Sequence, residues 1–154
     1  MISAEDVSVL IADLVSQPGA LLPILHRVQE HLGYVPAEAV PVIAKALNLS
    51  RAEVHGVVTF YHEFREAPAG AHVFKVCQAE ACQAMGSEQV TQHLERRLRT
   101  KLGETRADHK FTLEPIYCLG LCSLSPAAMV DGALVGRATA ERLDTLVDRM
   151  EDKR

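Results

Sequence analysis

Four cysteines are the residues in this chain whose type and spacing set up chemistry that other side chains do not offer. They fall in two pairs, Cys77-x4-Cys82 and Cys118-x3-Cys122, with 35 residues between the pairs and no cysteine in the first 76 positions. Thiolates are soft anions that hold iron or zinc and exchange electrons. A chain of 154 residues can build a core without disulfide staples, so clustered cysteines point to metal or redox chemistry. Two readings of the four sulfurs stand side by side. In one, a 2Fe-2S cluster takes two thiolates on each iron, Cys77 with Cys82 and Cys118 with Cys122. In the other, the four cysteines form a structural zinc site, for which both pair spacings are ordinary. The gap of 35 residues is longer than a zinc ribbon leaves, which weighs against zinc. A thioredoxin-type dithiol fits less well, because the chain contains no Cys-x-x-Cys.

Charge decides what the loops around these sulfurs must supply. Two ferric ions, two sulfides and four thiolates leave two net negative charges, and one added electron makes three. Neither residues 77–85 nor residues 118–126 contain Lys or Arg. Stabilisation therefore falls to backbone N–H groups, which the small residues Ala79, Ala81 and Gly120 allow to approach closely. A cluster with four cysteines of the plant type sits near about −400 mV, so a low potential and one-electron exchange are expected.

The elements that position the cysteines can be read from periodicity. Ser3 is placed to cap a first helix, with Val7, Leu10, Ile11, Leu14 and Val15 at helical spacing until Pro18-Gly19. Leu21, Leu22, Leu25, Val28 and Leu32 make a second stripe, closed by Gly33. A third helix starts near Pro36 and runs through Leu47, and Ser50-Arg51-Ala52-Glu53 is a capping box opening a fourth. Around Glu66 to Gly70 the helical period gives way to strand composition over 71–76, ending at Cys77. A loop over 77–85, a helix over 87–102, a polar hairpin or loop over 103–110 and a strand over 111–117 then deliver Cys118. After the loop 118–126 come short strands over 127–130 and 134–136 around an Asp131-Gly132 turn, and a helix over 139–150. Each cysteine pair thus follows a strand, and loops leaving strand ends are held by a rigid sheet. The expected fold class is α+β: an N-terminal helical bundle over 1–68, then a thioredoxin-like domain over 69–154 with a mixed sheet flanked by helices.

A net charge of −4, a pI near 6.0 and no basic stripe leave nothing to neutralise a phosphate backbone, so nucleic acid is not expected as a partner. The apolar runs are short and broken by charge or proline, so neither a membrane span nor a secretory leader is expected, and the chain is placed in the cytoplasm without direct membrane contact. His55 and His62 lack a carboxylate or cysteine framework and are assigned no catalytic role. Phe60, Tyr61 and Phe64 are expected in the core or at a subunit contact. The charges from Glu141 to Arg154 read as the solvated face of a terminal helix. No glycine-rich phosphate loop and no Ser-His-Asp arrangement appears, so this chain is expected to bind neither NAD nor flavin itself, with no activity alone.

Taken together, Cys77-x4-Cys82, Cys118-Leu119-Gly120-Leu121-Cys122, the segment from Gly19 to Leu25 and the run from Glu53 to Tyr61 resemble the thioredoxin-like 2Fe-2S subunit of respiratory NADH dehydrogenase over nearly the whole chain. Within that family, the stretch from Cys77 to Gly86 looks most like the gamma subunit of soluble NAD-dependent formate dehydrogenase. The resemblance implies one 2Fe-2S cluster on Cys77, Cys82, Cys118 and Cys122. It also implies a flavoprotein partner that binds FMN and NAD, and a larger catalytic iron-sulfur subunit. Respiratory NADH dehydrogenase and an NAD-reducing hydrogenase are the other assemblies it allows.

Overall fold

The computed structural model describes residues 4–152, and the chain divides into two compact units, Met1–Pro68 and Ala69–Arg154. The first unit is helical: α1 (Ala4–Ile11), α2 (Leu21–Leu32), α3 (Ala39–Leu47) and α4 (Arg51–Phe60). Their apolar stripes meet in one core containing Val7, Ile11, Ile24, Leu25, Val28, Ile43 and Val54. α1 stops at Ile11, earlier than its stripe suggests, and tight i→i−3 bonds from Leu14 to Ile11 and from Gln17 to Leu14 carry the chain on. Leu14 still reaches the core from this turn, so the apolar spacing survives without regular helix. Ser3, the expected cap of α1, lies outside the described residues. α2 ends at Gly33 in the left-handed region, as expected. The capping box of α4 is complete: the Glu53 N–H donates to the Ser50 hydroxyl at 3.1 Å, and the Ser50 N–H donates to the Glu53 carboxylate at 2.7 Å.

The second unit carries β1 (His72–Cys77), α5 (Glu80–Ala84), α6 (Ser87–Leu98), β2 (Glu104–Thr105), β3 (Phe111–Ile116), β4 (Ala128–Val130), β5 (Ala133–Val135) and α7 (Ala140–Glu151). The strands form one sheet in the order β2-β3-β1-β4-β5, parallel between β1 and β3 and antiparallel elsewhere. Phe74 and Val76 of β1 and Phe111 and Leu113 of β3 share a core with Val90, Leu94 and Leu98 of α6 and Leu143 and Val147 of α7. Phe74, Leu94 and Leu143 are completely buried, each of a size whose burial is worth roughly 1.5–3 kcal/mol. The fold is therefore α+β, a helical unit followed by a mixed sheet with flanking helices.

Of the two forms expected for 103–110, hairpin or loop, the hairpin is the one found, with the two-residue strand β2 antiparallel to β3. Two details depart from expectation. The segment 77–85 contains a short helix, α5, and is not loop throughout. α6 ends at Leu98 rather than Leu102, because Arg99 takes a left-handed conformation with φ 55° and its N–H closes on the Glu95 carbonyl. The charged face of α7 is also less solvated than its composition suggests. Arg97 of α6 reaches Asp144, Asp148 and Glu151, and His93 meets Asp144 at 2.8 Å. Lys153 and Arg154 fall outside the described residues. Among the described residues, no helix is long and apolar enough to cross a membrane.

Arg106 adds a second ionic lock. It grips Asp108 through two 2.7 Å hydrogen bonds and lies 4.6 Å above the Phe111 ring, and hydrogen bonding to its guanidinium lowers the Asp108 carboxyl to about 2. A carboxyl depressed on folding stabilises fully above its ordinary value of 3.8, and that contribution fades as pH falls toward about 2. The stability difference between wild type and Asp108→Asn, read from denaturation midpoints, should therefore shrink as pH is lowered from 5 to 2 (roughly the window of protonation). Ser50→Ala removes one half of the capping box and should lower stability by about 1 kcal/mol in denaturant titrations.

Candidate metal centre

Parallel pairing places the two cysteine pairs at the same end of the sheet. β1 and β3 run in register from His72 opposite Phe111 to Cys77 opposite Ile116, so both strands finish side by side. The ladder continues one step further, where the Gln78 N–H donates to the Ile116 carbonyl at 2.8 Å. Cys77 is the last residue of β1, and Cys118 lies two residues beyond the end of β3. Cys82 sits on α5, whose first turn is closed by a 2.9 Å bond from the Cys82 N–H to the Ala79 carbonyl. Cys122 opens a single 3-10 turn over Cys122–Leu124.

The four thiols are free, and they come together as two pairs. The Cys118 and Cys122 sulfurs are 3.8 Å apart. That spacing is far beyond the roughly 2.05 Å of a disulfide. It is instead close to the separation of two sulfurs on one tetrahedral metal with bonds of about 2.3 Å. Cys77 and Cys82 are buried in one cluster. Across the pairs, the charges of Cys82 and Cys77 add to the rise in the Cys122 pKa. Among the described residues no three His, Cys, Asp or Glu side chains close on the position of a single ion. Two cysteine pairs at one end of the sheet supply four thiols, the donor set that a binuclear cluster asks for, and the residues fit it.

Amides surround these sulfurs in the way the charge argument requires. Burial pushes the Cys77 thiol up, but the backbone N–H groups of Ala79, Cys118 and Leu119 and the Cys82 thiol together more than reverse this, and its pKa is lowered. Two of those amides come from the opposite loop, which ties the pairs together. The Gly120 N–H donates to the Cys118 sulfur at 3.4 Å. Positive φ at Cys118 (77°) and Gly120 (74°) turns the loop so tightly that its amides face inward. At Cys122 the balance is opposite: the Cys118 thiol, by hydrogen bond and by charge, raises the pKa, helped by burial and by Cys82 and Cys77. Four sulfurs this close resist carrying four negative charges unless a cation shares them.

An apolar collar completes the site. Cys77, Cys82 and Ala127 are buried together, with Ala79, Ile116, Leu119 and Leu121 packed around them, whereas Cys118, Cys122 and Tyr117 are exposed. The loop returns to the sheet through the Cys77 N–H, which donates to the Ala127 carbonyl at 3.0 Å. Behind it, the Arg137 N–H donates to the Leu124 carbonyl at 2.6 Å, and a Cβ on Gly136 would lie 2.8 Å from the Leu124 Cβ. Two contributors were not legible in the sequence: Gly136, whose role is close approach, and Ser125, whose hydroxyl lies 3.6 Å from the Cys82 sulfur. His55, assigned no catalytic role, pairs with Glu66 at 3.6 Å in the helical unit. Phe64 is a core residue whose ring lies 5.0 Å from that of His26 at a tilt of 56°, while Phe60 and Tyr61 are exposed.

Residues 7–151 match the profile of the thioredoxin-like 2Fe-2S ferredoxin family, and the chain belongs to that family. One 2Fe-2S cluster is its cofactor. Among curated relatives, the chain is 39% identical over 112 residues to an NADH-quinone oxidoreductase subunit from Pseudomonas aeruginosa, covering 73% of this chain and 68% of the relative. It is 35% identical over 130 residues to the like-named subunit from Escherichia coli strain K12, covering 84% and 78%. It is 31% identical over 135 residues to the HndA subunit of the NADP-reducing hydrogenase from Solidesulfovibrio fructosivorans, covering 88% and 79%. Among solved structures, an NAD+-reducing NiFe-hydrogenase in the air-oxidised state superposes with a TM-score of 0.72 at 25% identity. The match covers 85% of this chain and only 22% of that hydrogenase chain.

Gly136→Ala should push Leu124 and the turn that carries Cys122 outward. The expected cost is about 1–3 kcal/mol of stability, with reduced iron retention, measured by denaturation and by metal analysis of the purified protein.

Proposed function

We propose that this chain is an electron-transfer subunit that holds one 2Fe-2S cluster on Cys77, Cys82, Cys118 and Cys122 within an NAD- or NADP-linked oxidoreductase assembly. The observation that carries this reading is the delivery of both cysteine pairs, by two parallel strands, to one end of the sheet, with the Cys118 and Cys122 sulfurs 3.8 Å apart. Cys77 and Cys82 hold the buried side of the cluster, and Cys118 and Cys122 hold the side open to a partner. When bound, the cluster supplies a centre that takes or gives one electron at a time. The amides of Ala79, Cys118, Leu119 and Gly120 offset the negative charge without any side-chain cation.

The partners in this reading are a flavoprotein subunit that binds FMN and NAD and a larger catalytic iron-sulfur subunit. The flavin there turns single electrons into hydride, and catalysis belongs to the assembly. Relatives named for NADH-quinone oxidoreductase and for NADP-reducing hydrogenase support a respiratory or hydrogenase-type assembly over the formate dehydrogenase first expected from residues 77–86. The division into Met1–Pro68 and Ala69–Arg154 supports a helical domain followed by the cluster domain. Within such an assembly this chain works on the cytoplasmic side, and any membrane attachment rests with other subunits. The relatives' names favour electron transfer over a zinc-holding interaction module.

Anaerobically purified protein should be coloured, contain iron and sulfide in equal amounts, and give a one-electron EPR signal on reduction. Cys118→Ser should abolish or strongly alter that signal while leaving the helical circular dichroism of the N-terminal unit in place. Zinc without sulfide in the wild-type protein, or an unchanged EPR spectrum in the variant, would overturn the assignment.

A further inference from the structure

We propose that the Ser125 hydroxyl donates a hydrogen bond to the Cys82 sulfur and thereby raises the reduction potential of the cluster, an inference that rests on the four-cysteine reading above. The Ser125 Oγ lies 3.6 Å from the Cys82 sulfur and 2.6 Å from the Cys122 carbonyl oxygen. One hydroxyl therefore touches both pairs, the sulfur of one and the backbone of the other. Its environment differs from those of the neighbouring sulfurs. Cys77 and Cys118 take backbone amides whose protons are fixed in direction, whereas Cys82 faces a rotatable O–H. Cys82 is only 2% exposed, so solvent competes little for its sulfur.

The direction of this hydrogen bond depends on what Cys82 carries. As a thiol, Cys82 donates to the Ser125 oxygen, and the Ser125 proton goes to the Cys122 carbonyl. A metal-bound thiolate has no proton and only accepts. Keeping the old arrangement would then set an oxygen lone pair against a sulfur anion, so the hydroxyl turns its proton to the sulfur. A hydrogen bond to an ionised acceptor is roughly twice as strong as a neutral one, which favours the sulfur over the carbonyl. Reduction adds negative charge to the ligand sulfurs, strengthens this bond further, and so favours the reduced form. Ser125 is a positioning and tuning residue: it touches a ligand atom and takes no part in electron transfer itself.

The test is an EPR-monitored titration of the anaerobically purified full chain, with dithionite as reductant, on wild type, Ser125→Ala and Ser125→Thr, with iron and sulfide counted in each. Ser125→Ala should keep its iron and sulfide and show a midpoint shifted to more negative potential, and Ser125→Thr, which retains a hydroxyl, should return it toward the wild-type value. Iron-replete Ser125→Ala with the wild-type midpoint would overturn the inference and leave the ligand set standing. Should alanine at this position lose iron, Ser125→Gly reads the same quantity, a negative shift supporting the hydroxyl's role and an unchanged midpoint overturning it. Wild-type protein lacking iron and sulfide would overturn the four-cysteine reading together with it.

Discussion

The parallel pairing of β1 with β3 is the constraint on which the site depends. Antiparallel neighbours would send the ends of the two strands to opposite edges of the sheet, and the cysteine pairs would stand a full strand length apart. Parallel strands need a long connection, and here the connection is α5, α6 and β2, which accounts for the 35 residues between the pairs. The buried face of α6 then serves two purposes. Val90, Leu94 and Leu98 close the core, and the same packing holds β1 and β3 side by side.

With the strands fixed, the remaining problem is electrostatic. Thiols gathered this way compete for negative charge: the Cys118 thiol is the leading cause of the raised pKa of Cys122. The loops answer with backbone amides, three of them on Cys77, and with tight turns at Cys118 and Gly120 that aim those amides inward. No lysine or arginine enters either loop. Residues 118–126, which carry the exposed Cys118 and Cys122, contain no charged side chain, in keeping with charge depletion at the cores of protein interfaces.

How much of this was legible in the sequence depends on the kind of signal. Helical stripes such as Leu21, Leu25 and Val28, the Ser50 capping box and the Asp131-Gly132 turn are local, and local patterns survive into the fold. The cysteine spacing was equally plain. An element too short to show a period was not: α5 has five residues. The end of α6 was missed because a left-handed Arg99, which no glycine announces, stops it. Ser125 and Gly136 act through contacts with residues distant in sequence or across a turn, Cys82 and Leu124, and nothing in their own neighbourhoods marks them. The acidic face of α7 was read as solvated because the basic partner, Arg97, lies on another helix.

The β4–β5 turn sits at the far end of the sheet from the sulfurs. β4 runs antiparallel to β1, with Val130 opposite Phe74, and Asp131 folds back onto the start of β1 through the Val73 amide and the His72 ring. Five residue steps of strand separate His72 from Cys77, about 16 Å at strand rise. A fluorophore or affinity handle attached at Gly132 would ride on the edge hairpin, at the end of the sheet away from the cysteines.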